Sequence, residues 1–179
     1  MNQVLDVDWP KTENVEPQTI RHAREMLSIL ASTPPQTPNV TALCRELDVD
    51  RKQGIRILGA LARSGLLKLL STSAKKLKTL STPDKLYCGD PNLMCAMTPK
   101  PDKGTLRETF VLSQLEAVAS VDYPPQGDFL VNGRYLLEVG GAGKKYRQIA
   151  DIPDSFLAVD DLEIGRGNRI PIWLFGFLY

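Results

Sequence analysis

Histidine is almost missing from this chain: His22 is the only one among 179 residues. It falls in a stretch with helical periodicity and has no cysteine or serine beside it, which argues against a Ser–His or Cys–His nucleophile. Cysteine is scarce and unpaired in pattern. Cys44, Cys88 and Cys95 are odd in number, show no CxxC spacing and have no histidine cluster. That excludes a disulfide framework and a structural zinc site as the organising principle, and it suits a reducing, cytoplasmic setting. Long apolar runs are lacking too. The longest is Ile170–Tyr179, far short of the roughly 20 residues a bilayer-spanning helix needs, so no membrane partner is expected. The first eight residues are acidic and have no apolar core of a signal peptide. No internal repeat is visible. Gly140-Gly-Ala-Gly-Lys-Lys145 resembles a phosphate loop but has Glu138 where the first glycine belongs and Lys145 where Ser or Thr belongs. A Walker-type nucleotide site is thereby excluded from this segment.

What is present begins with an ordinary globular composition, 42% hydrophobic and 24% charged, enough for one domain or two small ones. The formal net charge of +1 hides a segregation. Residues 1–50 are net −4, residues 51–86 net +8 with Asp84 the only acid, and residues 87–179 net −3. A basic block between acidic flanks is what a surface facing a polyanion looks like, and equally what a solvated basic face looks like.

The first half reads as helices followed by a basic hairpin. Apolar residues Ile20, Met26, Leu27 and Leu30 recur at helical spacing from about Pro17 to Thr33, where prolines stop the helix. Asn39 is an N-cap for a second helix to about Leu47. Asp50 caps a third, with Gln53 completing a capping-box pattern and Gly65 closing it. Leu66–Leu70 and Leu86–Cys88 read as two strands around a polar loop that carries Lys75, Lys76, Lys78 and Lys85. Helix, helix, short turn, helix, basic hairpin is the order of a winged helix-turn-helix over residues 1–95. DNA contact would come from Arg51, Lys52 and Arg56 at the start of the third helix, and from Lys75, Lys76 and Lys78 on the wing.

After a Pro/Gly-rich connector at 96–104, a helix from about Thr105 to Ser120 is expected to turn Leu106, Phe110, Val111, Leu115 and Val118 inward. Glu108 lies in its first turn, where the helix dipole favours an acid. Gly127–Gly141 then reads as two short strands around an Asn132-Gly133 turn, with Asp128 on one and Glu138 on the other. A two-residue loop sets Asp128 opposite Leu137 and sends Glu138 to the other face. A three-residue loop or a bulge returns both acids to one face, where they could share a divalent metal. A second short helix is expected near Lys145, carrying Gln148. Phe156–Val159 reads as a strand, and the C-terminal apolar run as a buried strand.

Several stretches together resemble the C-terminal region of a family of prokaryotic AAA-type ATPases: Lys85-Leu-Tyr-Cys-Gly-Asp-Pro-Asn-Leu93, Gly104-Thr-Leu-Arg-Glu-Thr-Phe110, Gly127-Asp-Phe129, Glu138-Val-Gly-Gly141, Gln148-Ile149 and Ile170–Tyr179. In that family a motor domain is followed by a winged helix and then by a DUF4143-like domain related in fold to PD-(D/E)XK nucleases. The resemblance implies an α+β chain: a winged helix-turn-helix at 1–95, followed by a small α/β nuclease-like (restriction-endonuclease-like) domain at 96–179. It implies a motor-domain partner in cis or in trans, and is compatible with an oligomer. By position, Glu108, Asp128, Glu138 and Gln148 match the nuclease superfamily's helix acid, strand acid, second strand acid and following-helix glutamine. The lysine normally two residues after the second strand acid is replaced by Gly140, and Lys144 or Lys145 would have to reach in from the glycine-rich loop. Two functions follow: a DNA-binding and regulatory module with a degenerate nuclease lobe, or a Mg²⁺-dependent nuclease. In the second, Asp128 and Glu138 hold the metal, Glu108 binds a metal-bound water, Lys144 stabilises developing charge and Gln148 positions phosphate.

Overall fold

The computed structural model describes residues 1–33, 39–74, 83–145 and 149–178. Lys75, Lys76, Lys78 and Gln148, and any helix that would carry Gln148, therefore lie outside the described residues.

The protein is mixed α+β. A short N-terminal segment, a π-type turn at Val4–Asp8 running into α1 (Trp9–Thr12), precedes α2 (Pro17–Ser32), α3 (Val40–Glu46) and α4 (Arg51–Arg63). The caps act as the residue types dictate. The side chain of Asn39 accepts from Ala42 N at 3.0 Å and that of Asp50 from Gln53 N at 2.8 Å, and Gly65 closes α4 at φ 73°. Gln53 does not return to the Asp50 amide as a capping box would. Its side chain reaches Thr19 on α2 at 3.4 Å instead. Strands β1 (Leu67–Leu70) and β2 (Lys85–Cys88) form an antiparallel pair with Leu67 opposite Cys88. A first apolar core joins these elements through Leu5, Met26, Leu27, Ile57, Leu58, Leu61 and Leu67, each at most 2% exposed.

Helix α5 (Pro91–Met97) was not expected, although its signals are present: Asp90 caps it, accepting from Asn92 N at 2.7 Å, and Pro91 opens it. Helix α6 (Lys103–Leu115) is shorter than expected. Val111, Leu112 and Leu115 are buried, but Val118 is 53% exposed because the chain leaves the helix after Leu115 in a turn.

A five-stranded sheet follows in the order β3 (Val121–Asp122), β4 (Phe129–Val131), β5 (Tyr135–Gly140), β6 (Ser155–Val159), β7 (Arg169–Pro171). The first three strands are antiparallel and the last three parallel. Strands β5 and β6 are buried almost throughout, as parallel strands covered on both faces must be. The C-terminal run is a strand only as far as Pro171. Ile172–Phe177 is a 3₁₀ helix that buries Ile172 and Phe175 and leaves Trp173, Leu174 and Phe177 exposed. The i, i+3 spacing of the two buried residues fits three residues per turn, and Pro171 has no amide hydrogen to continue a ladder. A second apolar core, Val111, Leu112, Phe129, Leu137, Val139 and Ala158, also takes in Leu70 and Tyr87 from the β1–β2 pair. No helix among the described residues is long and apolar enough to cross a membrane.

Candidate functional site: an acid–lysine cluster at the sheet edge

The β4–β5 turn decides where the acids go. Val131 pairs with Tyr135, Leu130 with Leu136 and Phe129 with Leu137, so three residues, Asn132–Arg134, form the loop. Asn132 (φ 52°) and Gly133 (φ 66°) make the tight turn, closed by Arg134 N donating to Val131 O at 3.1 Å, and Arg134 is the extra residue. The side-chain oxygen of Asn132 fixes the turn by accepting from Ser120 N (3.1 Å) and Ser120 Oγ (3.2 Å). This odd loop is the one that restores parity. Asp128 and Glu138 line the same open pocket of ≈ 460 Å³, together with Gln126, Gly127 and Lys144.

Each carboxylate there is already engaged. Asp128 accepts from Val139 N through one oxygen at 2.8 Å and lies 3.5 Å from Lys85 Nζ through the other. Glu108, one turn into α6, accepts from Tyr87 Oη at 2.8 Å and from Lys85 Nζ at 3.3 Å. Glu138 is 5% exposed and meets Lys144 Nζ at 2.5 Å. Lys85 and Tyr87, both on β2, complete the cluster. Alternation along a strand sends them to the same side, and the aromatic rings of Tyr123 and Tyr87 lie 5.5 and 5.9 Å from the Lys85 ammonium. Sequence reasoning assigned Lys85 to the polar loop and passed over Tyr87. The only local signal was the polar–apolar–polar step Lys85-Leu86-Tyr87.

The electrostatics follow from burial and proximity. Burial, then the Asp128 charge, raises the Glu108 pKa against the opposing pull of Lys85 and Tyr87. Burial works against the Lys85 ammonium, but Glu108 and Asp128 outweigh it and its pKa stands above the usual lysine value. Lys144 behaves alike, with burial opposed and exceeded by Glu138, Asp128 and Glu108. Burial first, then Glu108, raises the Tyr87 pKa and keeps its hydroxyl a donor.

Gly140 explains how Lys144 arrives. A Cβ at residue 140 would lie 2.5–2.8 Å from the Cβ, Cγ and Cδ of Lys144, so the lysine stem crosses the space a side chain would fill. The loop that carries it is held from three directions. Asp160 N donates to Gly140 O at 2.9 Å, the Arg107 guanidinium packs over Gly141 while bonding Asp160 at 2.8 Å, and Arg169 donates to the carbonyls of Ala142 and Lys144 at 3.3 and 3.4 Å. The structure thus brings Glu108, Asp128, Glu138 and Lys144 together.

A Mg²⁺ ion requires free oxygen donors in near-octahedral array. Here cations occupy much of that donor set. Both Asp128 oxygens are bonded, ammonium groups stand against all three acids, and among the described residues no three acidic, histidine or cysteine side chains converge as a metal-holding group.

The expected nucleic-acid residues on α4 lie apart from this cluster. Arg51 and Lys52 are exposed, Arg51 bonding Thr41 Oγ1 at 3.1 Å. Arg56 is engaged within the chain. It pairs with Glu13 at 3.2 Å, as Arg63 does at 2.9 Å.

Compared with known proteins, residues 1–104 match a family described as Domain of unknown function (DUF8612). No curated protein and no solved structure matches the chain.

Proposed function

Since the chain belongs to the DUF8612 family, whose description carries no activity, we propose that it is a DNA-binding and regulatory module of an AAA-type ATPase. In this reading α2–α4 with the β1–β2 pair act as a winged helix, and the α6–sheet lobe is a nuclease-like fold turned from catalysis to structure. The motor domain is supplied in cis or in trans.

One observation carries the structural role of the second lobe. Lys85 reaches from β2 to place one ammonium 3.3 Å from Glu108 and 3.5 Å from Asp128. Carboxylates that a nuclease would leave open for metal are here held by lysines, and one of those lysines comes from the other half of the chain. The cluster works as a joint between the halves. The order of helices and strands, the exposed Arg51 and Lys52, and the net +8 of residues 51–86 support the DNA-facing half.

The experiment is a plasmid assay of the purified chain across a salt series, with Mn²⁺ or Mg²⁺ added to one arm. The module reading expects retardation that weakens steeply with salt, as phosphate contacts require, and no cleavage. Metal-dependent cleavage abolished by Glu138→Gln would replace it with the nuclease reading, for which the three-residue loop and the arrival of Lys144 at Glu138 would then be the structural grounds.

A further inference from the structure

We propose that Glu13 is a built-in stand-in for phosphate on α4: its carboxylate holds Arg56 and Arg63 in the conformation that binds a DNA backbone, and DNA displaces it. This rests on the DNA-binding reading above and adds its regulation, together with one contact, Arg63, that the sequence did not suggest.

The basic side chains of α4 form a stripe. Lys52, Arg56 and Arg63 stand 4 and 11 residues apart, so at about 100° per residue they fall within roughly 40° of arc, along about 16 Å of helix. All three are exposed. Glu13 is the residue immediately after α1, in extended backbone (φ −135°, ψ 147°). One of its oxygens accepts from Arg63 at 2.9 Å and the other from Arg56 at 3.2 Å. A single carboxylate therefore spans two guanidiniums separated by two helical turns, the arrangement a bridging phosphodiester would also make.

Glu13 is held in place by its surroundings. Leu5 and Trp9, in the segment before it, are 1% and 7% exposed and belong to the first apolar core. Displacement therefore needs only the Glu13 side chain to turn away, with no segment unfolding. The exchange is accessible, because the side chains of Arg56 and Arg63 are 51% and 63% exposed and that of Glu13 is 33% exposed. Lys52 and Arg56 also line a polar groove of ≈ 300 Å³ with Asn14, Glu16, Thr19, Asp50 and Gln53, so the stripe continues past the Glu13 contact. Glu16 and Asp50 in that groove oppose a polyanion, so the phosphate contact is assigned to the Arg56–Arg63 end of the stripe.

The test uses the full chain and a fluorescein-labelled 24-base-pair duplex, with anisotropy read from 50 to 200 mM KCl. Glu13→Gln should tighten binding about 3–10-fold at low salt and steepen the log–log salt dependence by about one, since each phosphate contact contributes about 0.9. Glu13→Gln combined with Arg63→Gln should lose that gain. An unchanged far-UV spectrum and melting curve show that the variants are folded. If the wild-type chain binds duplex but Glu13→Gln binds no better, the Glu13 inference fails while the DNA reading stands. If neither binds duplex, both fail. Binding of an acidic peptide but not of duplex would also overturn the proposal, and would assign the stripe to a protein partner.

Discussion

Replacing Gly140 by alanine should be costly for a reason unrelated to backbone freedom. The new Cβ would sit 2.5–2.8 Å from the Lys144 side chain, too close for any real contact, so Lys144 must move. Moving it takes the ammonium from Glu138, which is 5% exposed. Removing one partner from a fully buried ion pair costs about 3–5 kcal/mol, whereas a fully exposed pair contributes only about 0.2–1 kcal/mol. With the Lys144 side chain 35% exposed, an intermediate cost of about 2 kcal/mol is expected for Gly140→Ala. Lys144→Gly, which removes every side-chain atom in the way including the Cβ at 2.6 Å, breaks the same pair and should cost about the same. The double variant should then cost little more than either single, leaving a coupling of about 1–2 kcal/mol. Urea unfolding of the four proteins, followed by circular dichroism, gives the cycle directly. Additive losses, or a Gly140→Ala protein as stable as the wild type, would show that the lysine stem does not occupy the place of a residue-140 side chain, and the account of how Lys144 reaches the cluster would be wrong.

Tyr87→Phe removes a hydroxyl that donates to the half-buried Glu108 carboxylate at 2.8 Å. A loss of about 1.5–3 kcal/mol in urea unfolding is expected for a hydrogen bond to a charged group, and a loss below about 0.5 kcal/mol would contradict the geometry. The Glu108 carboxyl, raised by burial and by Asp128, binds its proton more tightly in the folded chain than in the unfolded one. Its contribution is therefore fully present below the unfolded glutamate value and is lost as pH rises through the higher folded value. Thermal melts of wild type and Glu108→Gln should show the wild type losing more stability than the variant across that window, and parallel curves would refute it. Asp160 has the opposite sign, because the Arg107 hydrogen bond lowers its pKa. Its contribution is present above the unfolded aspartate value and is lost as pH falls through the lower folded one, so Asp160→Asn should flatten the acid limb of the stability profile. Of the three thiols, Cys44 and Cys88 are buried, the latter pushed up to about 11 by that burial, and Cys95 is exposed. A disulfide reagent should titrate one thiol in the native protein and three in denaturant, and rapid native reaction of a second would contradict the packing.

What could be read in the sequence was local. The Asn39 and Asp50 caps, the Gly65 stop, the two short strands after it and the Asn132-Gly133 turn follow from the backbone preferences of a few adjacent residues, and each stands where those preferences put it. The loop length at that turn was open because Asn-Gly fixes two positive-φ residues without saying whether Arg134 joins the loop or the strand. The site was partly legible for the same reason. Asp128 and Glu138 could be named from the hairpin, and Glu108 and Lys144 from the family resemblance, but Lys85 could not be assigned from either. Lys85 meets partners 23 and 43 residues later, and Arg56 meets Glu13 43 residues earlier. A lysine in a basic run and a lysine under two tyrosine rings are indistinguishable until the sheet and α6 are assembled around them.

That long-range dependence bears on how the two halves act together. Leu70 and Tyr87 lie in the core built by α6 and the large sheet, and Lys68 pairs with Glu116 just past the end of α6. Tyr123 N donates to Ser71 O at 3.0 Å, so the chain leaving β1 is bonded to the chain leaving β3. The β1–β2 pair is thus shared between the helical half and the sheet half, anchored in the first core by Leu67 and Leu86 and in the second by Leu70 and Tyr87. Lys85 is the first residue of β2, so a displacement of the β1–β2 pair carries its ammonium along. The acid–lysine cluster lies at the end of that strand. Losing Lys85 from it would leave Glu108 and Asp128 to repel each other in a partly buried site, a cost added to that of drawing Leu70 and Tyr87 out of the second core.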